Sequence, residues 1–296
     1  MARPAVTIGM PVYNAARTLA PTLQSILQQR SADWELVVVD DGSSDRTADV
    51  LARIADPRIR VVRDGRNLGL AVRLNEIVAG ARGELFARMD ADDIAYPLRF
   101  AAQAAFLASH PEVDLVGCGA LVFGEDGVPL GRFPLRTTHE QICADPWSGF
   151  YLPHPGWMGR TRWFARHPYR PEYRKTQDQD LLLRTFDSSR FACLPEVLLG
   201  YRMEAAPLAK RLRGRAYFAR SILREAHRRG RHGAAIRGVA LQLAKGGADC
   251  LAACLPGSAL DPARRFGALT EAERDEWRGL WEAVGRALPG AAAPVQ

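Results

Sequence analysis

Cysteine is scarce in this 296-residue chain: Cys118, Cys143, Cys193, Cys250 and Cys254 are odd in number, dispersed, and never spaced as C-x-x-C. That pattern excludes a disulfide framework and a structural zinc site, and it predicts reduced thiols in a cytoplasmic protein. Long apolar runs are missing too. The best stretch, Ala234 to Pro256, is broken by Arg237, Lys245, Gly246, Gly247 and Asp249, whereas a spanning helix needs roughly 18 uninterrupted apolar residues. The opening "MARPAVTIGMPVYN" enters a β-branched run at once, without the charged and apolar regions of a secretory signal. Glycine-rich phosphate loops are also lacking. Neither G-x-G-x-x-G nor G-x-x-x-x-G-K-[ST] follows the first apolar run, which disfavours a dinucleotide fold and a P-loop NTPase.

Acidic residues are rare in one segment. Between Pro207 and Arg237 ten Lys and Arg side chains face only Glu225, so the net charge of +7 is concentrated there. Apolar residues Leu212, Tyr217, Ile222, Leu223 and Ala226 are interleaved with those arginines, the pattern of a helix with one apolar face. Two readings remain open. One is a helix packed on the body with a solvated basic face. The other is peripheral attraction of 207–237 to an anionic membrane at the inner face of the cell membrane. Nucleic acid is not expected as a partner, because no recognised nucleic-acid motif accompanies the charge.

What is present is a soluble composition, 47% hydrophobic and 25% charged, enough to bury a sizeable core. The first half alternates apolar runs with amphipathic stretches. "AVTIGMPVY", "WELVVVDD", "RIRVVRD" and "GELFARMD" read as strands, separated by helices over 18–29, 45–54 and 70–81. This rhythm predicts an α/β protein with a mainly parallel sheet flanked by helices. A helix to about Ser109, a hairpin turning near Glu125–Gly127, a helix in "QDQDLLLRTF" and a last strand in "ACLPEVLLGYRM" follow. The expected organisation is 1–204 as one domain (1–97 nucleotide-binding, 98–204 acceptor), 205–289 as a basic helical extension, and 290–296 as a disordered tail. Within the extension, Thr270 and Glu273 have capping-box spacing, and Trp277, Leu280, Trp281 and Val284 share a stripe that should pack inward.

Two acidic groups stand at expected strand ends, where α/β sheets collect ligands. Asp90, Asp92 and Asp93 lie within four residues and repel one another unless a cation relieves them. Mg²⁺ or Mn²⁺ takes one or two carboxylates plus substrate phosphates. The plainer alternative is a helix start, with acids complementing the macrodipole before Pro97. Asp40 and Asp41 end a buried strand, where a carboxylate can accept a base N–H; a strand-end turn capped by Asp45 is the plainer reading.

These blocks, together with "RNLGLAVRLNEIVAGARGE", "HPGWMGR", "QDQDLLLR" and "LLGYR", are ordered and spaced as in the inverting glycosyltransferase family 2. The resemblance runs from about Ala5 to Arg202 and implies the GT-A fold, a nucleoside-diphosphate sugar donor (often UDP-linked), and a divalent cation. By that resemblance Pro11, Tyr13, Asp40, Asp41, Asn67 and Arg73 would hold the nucleotide, with Asp90 facing the ribose or donor sugar. Asp92 would be the main metal ligand, assisted by Asp93. Asp178 would be the general base, with Asp180 in reserve, although Gln177 stands where the family usually has Glu. His154 would touch a phosphate or the acceptor, a glycan or lipid-linked hydroxyl. The Q-x-x-R-W block of processive synthases is missing, so transfer of one or a few sugars is expected, in surface polysaccharide or lipopolysaccharide synthesis. A non-catalytic nucleotide-sugar-binding or scaffold relative is the alternative. A sugar nucleotidylyltransferase is disfavoured by the absent glycine-rich loop.

Overall fold

The computed structural model describes residues 4–30, 33–203, 207–254 and 266–286. The expected boundary at 204 and the tail 290–296 lie outside the described residues.

The first three expected strands form as read, at Val6–Val12 (β1), Trp34–Asp40 (β2) and Ile59–Arg63 (β3), and the fourth is Leu85–Arg88 (β4). They pair in parallel in the order β3-β2-β1-β4. Leu19–Leu27 (α1), Thr47–Leu51 (α2) and Leu70–Ala79 (α3) are the crossover helices. The burial of β1 and β2 on both faces explains their continuous β-branched runs: each has every residue buried.

The parallel rule stops at β4. A three-residue strand that sequence reading missed, Met158–Arg160 (β8), pairs antiparallel with β4 and joins the first half to Leu115–Phe123 (β6). Strand β6 also pairs with Pro129–Arg132 (β7) through the expected hairpin, and in parallel with Phe191–Arg202 (β9). The two-residue Ile94–Ala95 (β5) closes the far edge against β9. The result is one mixed nine-stranded sheet. Arg99–Ser109 (α4) and Gln177–Thr185 (α7) arise where expected. The short helices His139–Ile142 (α5) and Thr161–Arg166 (α6) lie between them.

Leu208–Arg228 (α8) and His232–Cys254 (α9) make a helical hairpin, pinned where Arg211 and Arg215 both grip the buried Asp249. Glu271–Arg286 (α10) behaves as its stripe predicts. Its capping box forms, with Glu273 N–H donating to Thr270 Oγ1 at 3.2 Å and Thr270 N–H to Glu273 Oε2 at 2.8 Å. Trp277, Leu280 and Val284 join the main core, and the indole N–H of Trp277 donates to the carbonyl of Gly127 at 2.8 Å. A Cβ on Gly127 would stand 2.2 Å from the Trp281 ring, so the hairpin turn must be glycine for α10 to seat.

Candidate active site

The carboxyl ends of β1, β2 and β4 open toward one side of the sheet, and the two acidic groups sit there. Two loops form the floor. Asn14, in the left-handed region at φ 51, turns the chain after β1, and its side chain accepts from Ser44 N–H at 2.8 Å. Its own N–H donates to Ser43 Oγ, and Thr47 Oγ1 accepts from Ala15 N–H. Asp45 accepts from Thr47 N–H at 3.0 Å, but the N-cap position of α2 is Arg46, one residue later than the plainer reading expected. Pro11 is buried beneath this floor, and Tyr13 stands on it, 53% exposed.

Asp40 and Asp41 point differently from an open base-binding pair. Asp40 accepts from Ser43 N–H at 2.9 Å and pairs with Arg63 at 3.0 Å. Asp41 accepts from the N–H groups of Leu68 and Gly69, at 2.7 and 2.9 Å, and from Arg73 Nε at 2.8 Å. Asn67 donates to the Asp41 carbonyl at 3.0 Å. Arg73 faces neither solvent nor cleft. It is 1% exposed and is held by Asp41, Asp64, Glu76 and the carbonyl of Arg66. Its bond to Asp64 and its other acidic partners raise its pKa, and Asp64 is held well below the usual carboxylate range. The place of Arg73 in the site is therefore corrected: it is the knot that folds the 64–69 loop over Asp41. Helical periodicity alone could not distinguish an arginine on a solvated face from one drawn inward by three acids.

The acid turn after β4 is crowded as its spacing predicts. One ligand atom from each of Asp90, Asp92 and Asp93 falls within 4.8 Å of the others. Burial, then the charge of Asp90, pushes Asp92 up to about 6. Asp93 is raised well above the ordinary value by burial and by both neighbours. One Asp93 oxygen accepts from Arg202 N–H at 2.8 Å; the other is buried without a hydrogen-bond partner. Three all-oxygen donors and an orphaned buried carboxylate atom fit a hard divalent cation.

Arg88 is the residue that sequence reading missed. It ends β4 fully buried, pairs with Asp90, and leaves Nε and Nη1 without partners. Burial is the largest influence and opposes its charge, but Asp90, Tyr169 and Asp93 together outweigh it and the pKa rises. The available signal was an arginine inside an otherwise apolar strand, "LFARMD". Its field reaches His154, Tyr169 and Asp178.

Asp178 lies in the first turn of α7, half buried, after Thr176 in the left-handed region at φ 57. Burial raises its pKa. Its neighbour Gln179 grips the backbone of Phe150, accepting its N–H at 2.8 Å. Asp180, the expected reserve, points the other way, and this too is a correction. It is completely buried, paired with Arg170 at 3.1 Å and Arg184 at 2.9 Å, and it accepts from Ser221 of α8 at 2.6 Å. Two residues along a helix turn about 200°, which separates the two acids. His154 is buried, hydrogen-bonded through Nε2 to Tyr169 Oη at 2.8 Å and edge-on to Trp157. Burial and the nearby Arg88 hold its pKa well below the ordinary value, so it is neutral wall, not a cationic phosphate ligand.

A parallel nucleotide-type half, a mixed second half and a strand-end acid turn together define a GT-A-type fold. The Glycosyl transferase family 2 profile matches residues 7–167, and the chain belongs to that family. The putative glycosyltransferase EpsE of Bacillus subtilis (strain 168) is 34% identical over 209 residues, covering 69% of this chain and 71% of EpsE. Among solved structures, S. aureus TarS 1–349 in complex with UDP aligns over 96% of this chain and 92% of its own, at 19% identity and TM-score 0.58. The mannosyltransferase PcManGT of Pyrobaculum calidifontis, in complex with GDP-Man and Mn²⁺, aligns over 96% and 86%, at 18% identity and TM-score 0.58.

Proposed function

We propose that this enzyme transfers a sugar, with inversion, from a nucleoside-diphosphate donor, UDP-linked in the first instance, to an acceptor hydroxyl. The observation that carries the reading is the Asp90–Asp92–Asp93 cluster at the mouth of the nucleotide-type half, where burial and then the charge of Asp90 raise Asp92 to about 6. Such crowding is stable at neutral pH with a cation among the carboxylates. Asp92, with Asp93 and Asp90, would hold Mn²⁺ or Mg²⁺, which neutralises charge on the departing diphosphate. The Asn14–Ser43–Ser44 floor receives the nucleotide beside Pro11 and Tyr13. Asp41, Asn67 and Arg73 shape the adjoining wall, and Asp40 supports the turn.

Asp178 is the base that takes the acceptor proton. Its raised pKa suits that role, since a base nearer the working pH transfers protons with a better match of basicity and occupancy. A single carboxylate suffices, because direct displacement from the opposite face needs no nucleophilic residue. The acceptor is a glycan or a lipid-linked sugar of a surface polymer, and one or a few residues are added.

The reading is tested by donor hydrolysis and by melting temperature with UDP-, GDP- and dTDP-sugars, with and without Mn²⁺. Asp92→Ala is expected to abolish metal-dependent hydrolysis, while the remote surface change Asp275→Ala leaves it intact. No stabilisation by any donor with metal present would sink the reading and favour a scaffold role.

A further inference from the structure

Helix α9 is amphipathic in the wrong sense for a protein whose outer face meets water. Helix α9 turns its small and polar residues inward: Ala235, Gly238, Gln242, Gly246 and Asp249 are buried. Gln242 and Lys245 donate to the carbonyl of Ser148, at 3.3 and 2.7 Å, and Asp249 is clamped by two arginines of α8. Outward it presents its large apolar side chains. Ile236 is 74% exposed, Leu243 72% and Leu251 56%. At about 100° per residue these three share a sector of roughly 80° with Ala240 and Gly247. Burying inward-facing polar groups while wetting three large aliphatic side chains costs free energy in water unless the outer face is covered.

The charge around the stripe says what covers it. Across 207–254 there are eleven Lys and Arg and only two acids, Glu225 and Asp249, both buried in ion pairs. Lys210, Arg213, Arg220 and Arg231 are exposed, and no carboxylate of the described residues pairs with them. Lys175 is pushed down by burial and by the adjacent Lys210 and Arg213, a sign of unrelieved positive field. A second copy of the chain would bring like charge against like charge. Helix α9 also fails the length-and-hydropathy requirement for crossing a bilayer. A hairpin that carries an exposed apolar stripe on α9 and uncompensated cations on α8 matches an anionic lipid surface on which the helix lies in the plane.

We propose that α9 is an in-plane membrane-docking helix, with Ile236, Leu243 and Leu251 entering the acyl boundary of an anionic leaflet and the basic residues of α8 engaging headgroups. This moves the expected contact. Phe218, Ile222 and Ala226 of α8 are buried within the protein and Leu223 is exposed, so α8 supplies mainly charge and α9, from Ile236 onward, supplies the apolar face. The distance from Ile236 to Leu251 is about 22 Å along the helix, at 1.5 Å per residue.

The test is sedimentation of the full chain with vesicles of phosphatidylcholine alone or with phosphatidylglycerol, with a triple variant Ile236→Ser, Leu243→Ser, Leu251→Ser. All three side chains are exposed, so the variant should keep its melting temperature, which is measured alongside. The full chain should bind the anionic vesicles at low salt and the neutral ones about tenfold or more weakly. The triple variant should lose about tenfold in partitioning. An environment-sensitive dye on the exposed Cys250 or Cys254 should shift to the blue with anionic vesicles. Unchanged binding by the triple variant, or no binding by the native chain, overturns the proposal. A dimer in light scattering that the triple variant converts to monomer assigns the face to a second copy and overturns it equally.

Discussion

Asp178 and Asp180 are two residues apart, both acidic and both in the first turn of α7, yet their surroundings give them opposite duties. Asp180 is gripped by Arg170, Arg184 and Ser221, whereas Asp178 meets backbone N–H groups and Gln179 Nε2 at 3.4 Å and forms no ion pair among the described residues. Sequence spacing placed both on one short helix; Ser221 of α8, Arg170 and Arg184 decide that Asp180 is tied up in pairs and Asp178 is not. Asp178→Asn is expected to slow transfer by about 10²- to 10⁴-fold, with donor KM little changed. In the native enzyme the rate should rise with pH through a pKa above the ordinary carboxylate range, because burial disfavours the charged form. Rate–pH profiles of both proteins check this; a variant that retained the same acidic limb would exclude Asp178 as the base.

At the level of elements, the parallel half was legible because buried parallel strands write continuous β-branched runs. The second half was less so. Strands β5 and β8 have only two and three residues, too few to show a period, and they exist because longer neighbours β4, β6 and β9 offer them free edges. In the site, the three acids of the β4 turn were readable from spacing, but the Arg73 knot was not, since its pair with Asp41 spans 32 residues and leaves no local pattern; Arg88, two residues from its partner Asp90, showed only as an arginine inside an apolar strand. Helix α7 is bound to the hairpin chiefly through Asp180. Asp180→Ala leaves Arg170 and Arg184 without that partner and is expected to cost about 3 kcal/mol in denaturant unfolding, the scale for breaking a buried pair. A loss below about 1 kcal/mol would show that Glu225, which also pairs with Arg170, takes over the load.

For the whole molecule, the acid turn makes stability depend on pH and metal together. Asp92, at about 6, and Asp93 are both raised above their unfolded values, so they stabilise the metal-free fold at low pH. That contribution is complete below about 4 and disappears as pH rises through 6 and beyond. A cation competes with those protons. Mn²⁺ should therefore raise the melting temperature more at pH 7.5 than at pH 5, measured against chelator at each pH. Equal increments would mean that the carboxylates are not the binding groups.

The carbonyl of Ser148 ties the outer helix to the chemistry. Lys245 and Gln242 of α9 hold it, Phe150 lies two residues on, and Gln179 grips Phe150 beside Asp178. In mechanical terms this is a short lever arm whose handle is the apolar stripe and whose tip is Asp178, the proposed base. On the membrane docking proposed for α9, a bilayer that seats the handle would fix the height of the tip above it and so gauge acceptors displayed at one distance from the surface.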